Sequence, residues 1–179
     1  MRIFIGGAFN DNIPNKYKVA CKKYVSELLE DNDLVFGGAK NGLMGIIYDC
    51  AKNCNSKVIA SCPKIFEESL NELEIDESFV TSTMFESTIY LFDRSDAIVF
   101  VPGGVGTLYE LFNILQAIIC KEYDIPVVIF NPNNYYDNLI NMLDKMSEEN
   151  FVSADAKKLY YVSDSASDTL EYIKEKKLH

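Results

Sequence analysis

Short apolar runs alternate along the chain with longer segments whose apolar residues recur every three to four positions. Most of the short runs are apolar at successive positions, which is typical of strands covered on both faces of a parallel sheet. The pattern predicts six strands, at residues 2–5, 34–36, 57–61, 97–101, 126–130 and 159–162. It also predicts seven helical segments, at about residues 16–29, 43–53, 65–70, 86–94, 107–121, 136–148 and 166–176.

Strands and helices alternate with short connections, which indicates repeated β-α-β units. We therefore predict a single domain over residues 1–179, with an α/β, Rossmann-like fold. Its core is expected to be a doubly wound parallel sheet of about six to seven strands with helices on both faces. The acidic segment 67–82 is less regular. We interpret it as a solvated surface connection, with a lid over the site as the alternative.

The charge balance excludes some partners. The net charge of −10 argues against nucleic acid or an anionic membrane surface, because either partner requires a basic face. No apolar run approaches the roughly 20 residues of a membrane span, and the first one is too short for a signal peptide. The five cysteines include no Cys-x-x-Cys pair, which indicates reduced thiols and a cytoplasmic protein.

Arginine and histidine are scarce. The chain has two arginines, Arg2 and Arg94, and one histidine, His179. Unless His179 folds back, no Ser-His-Asp or Cys-His nucleophile system and no histidine metal site is available. Cys50 and Cys54 are one helical turn apart, and packing is favoured over metal binding for this pair. We predict neither a metal nor a cofactor.

Three predicted strands end in a pair of glycines, at Gly6-Gly7, Gly37-Gly38 and Gly103-Gly104. In a doubly wound sheet the carboxyl ends of the strands border the ligand crevice. Glycines there let the chain turn tightly and bring backbone N–H groups close to a ligand. An acidic protein can hold a phosphate in this way, with backbone amides and helix N-termini. We therefore predict a site for the phosphate of a small nucleotide.

The third turn, residues 102–110, is the most informative. Its predicted phosphate ligands are Gly103, Gly104, Val105, Gly106 and Thr107. The candidates from the other two turns are Gly6, Gly7, Gly37, Gly38, Lys40 and Asn41. Glu110 follows one helical turn later, and a carboxylate so close to a phosphate is better explained by contact with the sugar. Three of these residues have an alternative interpretation. Glu110 is then an acid in the first turn of the helix that the helix dipole favours, Lys40 is an exposed loop lysine, and Asn41 belongs to a simple Asn-Gly turn.

Residues 102–110, Pro-Gly-Gly-Val-Gly-Thr-Leu-Tyr-Glu, resemble the PGGxGTxxE motif of the LONELY GUY family. These proteins are phosphoribohydrolases that release a base from a nucleoside 5′-monophosphate, and some carry an older lysine decarboxylase label. Residues 37–45 resemble the family's GG…GLMG loop, and residues 124–139 resemble its KPV…GYY region. The resemblance covers nearly the whole chain and implies Glu110 as a catalytic residue. It also implies a homodimer, which the apolar helix 111–121 permits; a monomer with that helix fully buried is the alternative.

The sequence departs from the family at one catalytic position. The family has a Met-His-Glu-Arg-Lys segment before the motif strand, and its arginine is catalytic. Counting back from the motif without gaps aligns Met84 and Glu86 with the family's residues, but Ser87 stands at the arginine and Thr88 at the lysine. By resemblance Met84 lines the base pocket, with core packing as the alternative. Glu86 or Lys40 is a candidate to fill part of the gap.

Two functions are consistent with this sequence. The first is a phosphoribohydrolase that is slow or altered in specificity because the arginine is missing, with Glu110 acting at the ribose. The second is a protein that binds or senses a nucleotide or an ADP-ribose-like ligand without hydrolysing it. Nothing in the sequence indicates the lysine setting of a pyridoxal phosphate decarboxylase.

Overall fold

The computed structural model describes residues 1–152 and 158–178, and its strands form one seven-stranded sheet. The strands are β1 (Arg2–Gly6), β2 (Asp33–Phe36), β3 (Val58–Pro63), β4 (Glu77–Thr81), β5 (Ala97–Phe100), β6 (Val127–Phe130) and β7 (Tyr161–Ser163). All pairings are parallel, in the order β4-β3-β2-β1-β5-β6-β7. This is the doubly wound topology that the alternation of strands and helices predicts. His179, the one histidine of the sequence, lies outside the described residues.

In the described part of the chain, six α-helices connect and follow the strands. They are α1 (Asn15–Leu28), α2 (Gly42–Asn53), α3 (Met84–Asp93), α4 (Val105–Ile119), α5 (Asp137–Glu148) and α6 (Ala166–Lys176). The 3₁₀ helices Lys64–Glu72 and Pro132–Asn134 follow β3 and β6. Among the helices in the described part of the chain, none combines the length and apolar character that crossing a membrane requires.

The core has two layers, one on each face of the sheet. Alternate residues of a strand point to opposite layers, so that Ile3 and Ile5 pack in one layer and Phe4 in the other. Helices α1, α2 and α6 cover the first face, and α3, α4 and α5 cover the second. Burial on both faces explains why the inner strands read as unbroken apolar runs, and it confirms the prediction of helices on both sides.

The segment after β3 differs from the sequence interpretation. Residues 77–81, expected to belong to a solvated connection, form the edge strand β4, which pairs with β3. Its first three residues are exposed, so it lacks the apolar run by which the inner strands were predicted. The predicted helix at 65–70 belongs to the 3₁₀ helix Lys64–Glu72. The prediction of an irregular connection is therefore wrong for the part that completes the sheet.

Candidate functional site

The strand order reverses between β1 and β5, because the chain leaves β1 towards β4 and returns on its other side. Backbone hydrogen bonds extend this pairing past the strands. Val101 N–H donates to the Gly6 carbonyl at 2.9 Å, and Ala8 N–H donates to the Pro102 carbonyl at 3.1 Å. Ligands of open α/β sheets bind in the crevice at such a reversal. The first and third glycine turns of the sequence therefore meet at one crevice.

The start of α4 is open to solvent. Gly104 precedes its first residue, and none of the described residues provides a side-chain cap. A Cβ placed on Gly104 or on Gly106 would meet no atom within 4 Å, and Val105 between them is 87% exposed. The first N–H groups of a helix have no intrahelical partner, and the helix dipole adds partial positive charge there. This turn thus has exposed backbone donors of the kind found at anion sites on helix N-termini.

Gly103 differs from Gly104, although the sequence treats the two alike. A Cβ on Gly103 would overlap the side chain of Thr107, which is buried. Gly103 is therefore needed because the turn folds back onto the first turn of α4. Of the two adjacent glycines that the sequence predicts to face a phosphate, only Gly104 has free space around it.

Glu110 brings a carboxyl group to the same crevice. Its Oε2 atom would lie 2.9 Å from a Cβ placed on Gly6, so the carboxyl group rests against the end of β1. Burial is the cause that raises the pKa of Glu110 from about 4.5 to about 8. Within residues 1–152 and 158–178, no hydrogen bond or cation offsets that effect. Near neutral pH the group is therefore mostly a neutral carboxylic acid.

The second glycine turn is covered by the protein itself. Gly38 has a left-handed backbone with φ of +72°, and a Cβ on it would overlap Leu70 of the 3₁₀ helix Lys64–Glu72. Ser69 donates a hydrogen bond from its hydroxyl to the Gly38 carbonyl at 2.6 Å. Lys40 also turns to this helix, and its Nζ donates to the Glu72 carbonyl at 3.3 Å. Gly37 is the less crowded glycine of the turn, because the nearest atom to a Cβ placed on it would be 3.8 Å away.

The N-terminus of α2 already holds an anionic group. Asp11 accepts hydrogen bonds from the Gly42 N–H and from Asn41 Nδ2, both at 2.8 Å. These two bonds lower the pKa of the Asp11 carboxyl. The next N–H groups, of Leu43 and Met44, donate to the Ala8 carbonyl. The donors that the sequence offers to a phosphate at this helix are thus engaged by the loop after β1.

The segment aligned with the family's arginine lies at the start of α3. Ser87 is buried and donates to the Ser61 hydroxyl of β3 at 3.1 Å. Glu86 closes a capping box: its carboxylate accepts from the Ser82 N–H at 2.9 Å, and its own N–H donates to Thr83 Oγ1 at 3.2 Å. Met84 is 41% exposed at the first position of the helix. Glu86, a candidate for the missing charge, therefore stabilises the helix end.

Arg94 lies at the opposite end of α3. Its Nε pairs with Glu77 Oε1 at 2.5 Å, and its guanidinium covers the ring of Tyr90. Glu77 is the first residue of β4, so this pair sits at the amino end of the sheet. Arg94 therefore lies at the end of the sheet opposite to the glycine turns.

Two tyrosines near the crevice entered the sequence analysis only through the family resemblance. Tyr135 donates from its hydroxyl to the Gly103 carbonyl, and Tyr136 donates to the Val101 carbonyl, each at 2.7 Å. Both residues follow β6, more than thirty positions from the turn they contact, so no local spacing predicts the contact. Asp11 was likewise missed, because only the tertiary structure brings it to α2.

Sequence comparison relates the chain to known hydrolases. A family model described as possible lysine decarboxylase matches residues 44–173. The chain is 30% identical over 175 residues to the cytokinin riboside 5′-monophosphate phosphoribohydrolase LOG1 of Arabidopsis thaliana, spanning 97% of this chain and 81% of that protein. It is 34% identical over 138 residues to the cytokinin riboside 5′-monophosphate phosphoribohydrolase of Mycobacterium tuberculosis, spanning 76% of this chain and 74% of that one.

Structural comparison finds the same fold in more distant proteins. The molybdenum cofactor carrier protein of Chlamydomonas reinhardtii matches with a TM-score of 0.72 at 17% identity, over 99% of this chain and 98% of that chain. The molybdenum cofactor binding protein of Rippkaea orientalis matches with a TM-score of 0.69 at 20% identity, over 97% and 95% of the two chains. At these identities the likeness establishes the fold alone.

Proposed function

The chain belongs to the LONELY GUY family, and we propose that it hydrolyses the N-glycosidic bond of a nucleoside 5′-monophosphate, giving a free base and ribose 5-phosphate. The observation that carries this proposal is the position of Glu110. Its carboxyl group lies against Gly6, one helical turn from the open start of α4. A phosphate bound at the helix start would bring its own ribose towards this carboxyl group.

Phosphate binding falls to the backbone in this proposal. Gly104, Val105 and Gly106 are exposed and their N–H groups donate to none of the described residues, and the dipole of the 15-residue helix α4 favours an anion at this end. The protein has a net charge of −10, so it attracts a phosphate through this local feature rather than through its overall field.

The neutral state of Glu110 removes the conflict between a carboxylate and a phosphate. A bound phosphate adds negative charge nearby, which keeps the pKa of Glu110 high. In the proposed reaction Glu110 gives its proton to the departing base as the C1′–N bond breaks, and the bond electrons stay on the base nitrogen. The resulting carboxylate then takes a proton from the water that attacks C1′, which restores the acid.

The missing arginine supports a second candidate function. Ser87, which stands at the family's arginine, is committed to Ser61, and Arg94 is committed to Glu77 at the other end of α3. Loss of one group that stabilises transition-state charge costs on the order of 10²–10³ in rate. The chain therefore has the parts of a slow hydrolase, or of a protein that binds a nucleotide or an ADP-ribose-like ligand without cleaving it.

Prolonged incubation with AMP, CMP, GMP and UMP separates the two functions. Chromatography of the products is expected to show free base and ribose 5-phosphate with at least one nucleotide, and to show neither product with Glu110→Gln. If no base appears but a nucleotide raises the melting temperature, the protein binds without hydrolysis. If there is neither base release nor a thermal shift, both candidate functions fail.

We further propose that the chain forms a homodimer through α3 and α4. Besides Val105, which lies in the proposed phosphate turn, these helices leave Met84, Phe85, Tyr109 and Phe112 on the surface, where they are 36–58% exposed. Both helices cover the same face of the sheet. Sedimentation velocity is expected to give a dimer for the wild type and a monomer for the double variant Phe85→Glu/Phe112→Glu. A monomeric wild type at assay concentrations would rule out the dimer.

A further inference from the structure

The phosphate-binding turn proposed above is held from behind by two adjacent tyrosines. The hydroxyl of Tyr135 donates to the Gly103 carbonyl, and the hydroxyl of Tyr136 donates to the Val101 carbonyl, both at 2.7 Å. Tyr136 is buried at 3% exposure, and Tyr135 is 39% exposed. The two bonds fix carbonyl groups on either side of Pro102, at the point where β5 ends.

The loop that presents these tyrosines has an unusual backbone. Asn133 and Asn134 are consecutive left-handed residues, with φ of 53° and 59°. Left-handed residues other than glycine are costly and persist where the surroundings determine them, often at functional sites. Asn131 supplies part of that restraint, because its side chain accepts from the Tyr136 N–H at 2.6 Å and donates to Asp137 at 2.8 Å.

Aromatic contacts fix the ring of Tyr135. It packs edge-to-face with Tyr17 of α1 at a centroid distance of 5.2 Å, and with Tyr136 at 4.7 Å. Such edge-to-face pairs are favourable beyond the apolar area they bury. A half-exposed side chain is thereby kept in one orientation, with its hydroxyl on the Gly103 carbonyl.

The geometry of a peptide bond converts this contact into control of a donor. The Gly103 carbonyl and the Gly104 N–H belong to one planar trans peptide unit, so they point in opposite directions. When Tyr135 holds the carbonyl on one side, it also sets the direction of the N–H on the other. Gly104 is exposed and its N–H donates to none of the described residues, so that N–H is open to a ligand oxygen.

We infer that Tyr135 is a positioning residue for phosphate, which acts by orienting the Gly103–Gly104 peptide so that the Gly104 N–H faces the bound anion. This inference rests on the proposed function. A glycine pair is the most flexible peptide unit in a chain, and a fixed carbonyl removes that freedom before the ligand arrives. Tyr136 anchors the base of the same turn through Val101.

Tyr135→Phe removes the hydroxyl and keeps the ring, so it tests the inference directly. Calorimetry is expected to show about three- to tenfold weaker binding of AMP, which corresponds to one hydrogen bond, and unchanged binding of adenosine. Tyr123→Phe is the matched control. Tyr123 follows the C-terminal end of α4, and its hydroxyl donates to Asp93, away from the turn. The melting temperatures of both variants should stay close to that of the wild type.

A second measurement needs no nucleotide. In NMR spectra of the ligand-free protein, Tyr135→Phe should shift the Gly103 carbonyl carbon and the Gly104 amide, whereas Tyr123→Phe should not. Titration with inorganic phosphate should move the Gly104 amide more in the wild type than in Tyr135→Phe. A Tyr135→Phe variant that keeps the wild-type affinity for AMP and phosphate, or that loses adenosine equally, would overturn the inference.

The outcomes also separate the inference from the proposed function. If phosphate binds at Gly104 in a way that depends on Tyr135 but no base is released, the positioning role stands and the hydrolase activity is ruled out. Base release with the same KM in Tyr135→Phe as in the wild type would leave the hydrolase intact and remove the positioning role. A wild type that binds neither AMP nor phosphate would remove both.

Discussion

The carboxyl group of Glu110 lies against Gly6, close enough that a methyl group on Gly6 would come within 2.9 Å of Oε2. Gly6 ends β1 and Glu110 lies in α4, the helix that follows β5. The contact therefore spans the two strands between which the sheet reverses its order. The glycine leaves the space that the carboxyl group occupies.

Gly6→Ala is expected to lower the rate of base release by tenfold or more, because a displacement of about 1 Å can cost 10²-fold in rate. The new methyl would also approach the rings of Phe4 and Phe100 at 3.1 Å. Overpacking of this kind costs about 1–3 kcal/mol in the free energy of unfolding. Urea denaturation and a base-release assay measure the two effects, and a variant with wild-type values in both would contradict the contact.

Gly104→Ala should have the opposite balance of effects. Its methyl would meet no atom within 4 Å, and the backbone φ of −99° suits alanine. The free energy of unfolding should therefore stay within about 0.5 kcal/mol of the wild type. The methyl enters the space assigned to the phosphate, so the KM for the nucleotide should rise several-fold. An unchanged KM in a stable variant would show that the phosphate does not bind at this turn.

The desolvated carboxyl group of Glu110 predicts a pH-dependent gain in stability for Glu110→Gln. The folded pKa is raised to about 8 from 4.5, so between these values the folded protein binds a proton that the unfolded chain releases. Its contribution to stability is full below pH 4.5 and is lost as the pH rises through 8. Glutamine carries no such proton. The melting temperature of Glu110→Gln minus that of the wild type should therefore grow between these pH values and level off above them.

Glu27→Gln provides the control for that measurement, because Glu27 is exposed on α1 and also loses one negative charge on substitution. Its difference from the wild type should change little over the same range. An equal pH dependence in the two variants would show that net charge, rather than burial of Glu110, is responsible.

A catalytic acid also predicts the pH dependence of turnover. If Glu110 protonates the leaving base, kcat/KM should hold below the pKa of about 8 in the free protein and fall about tenfold per pH unit above it. Single-turnover assays with AMP from pH 5 to 10 would measure the profile. A rate that instead rises through this range would assign Glu110 a role as a carboxylate.

Ser87→Arg tests the assignment of the missing arginine. Ser87 is buried against Ser61, so the substitution breaks a buried hydrogen bond and should cost about 1–3 kcal/mol of stability. An arginine that reaches the crevice should raise kcat on the order of tenfold or more. Thr88→Lys, also at a buried position, can be added to complete the family's pair. A folded variant without a gain in kcat would show that the gapless alignment does not locate the arginine position at Ser87.

The five inner strands could be predicted because burial on both faces leaves an unbroken apolar run, and the edge strand β7 because residues 159–162 are apolar in succession. Strand β4 could not, because its residues Glu77, Ser78 and Phe79 are exposed at the edge of the sheet. At the site, Glu110 and the glycines of its turn are consecutive in sequence, and their spacing along α4 predicts where they lie relative to one another.

The fold class, the family and the positions of three glycine turns follow from the sequence alone, since these depend on local periodicity and on contiguous motifs. Which of the three turns is open depends on the tertiary structure. Leu70 covers Gly38 and Asp11 occupies the start of α2, whereas nothing covers Gly104 among the residues that the structure describes. The protonation of Glu110 and the hold of Tyr135 on Gly103 are likewise tertiary properties. Glu110 is shielded from water by residues from distant parts of the chain. Tyr135 reaches Gly103 only when the sheet is assembled.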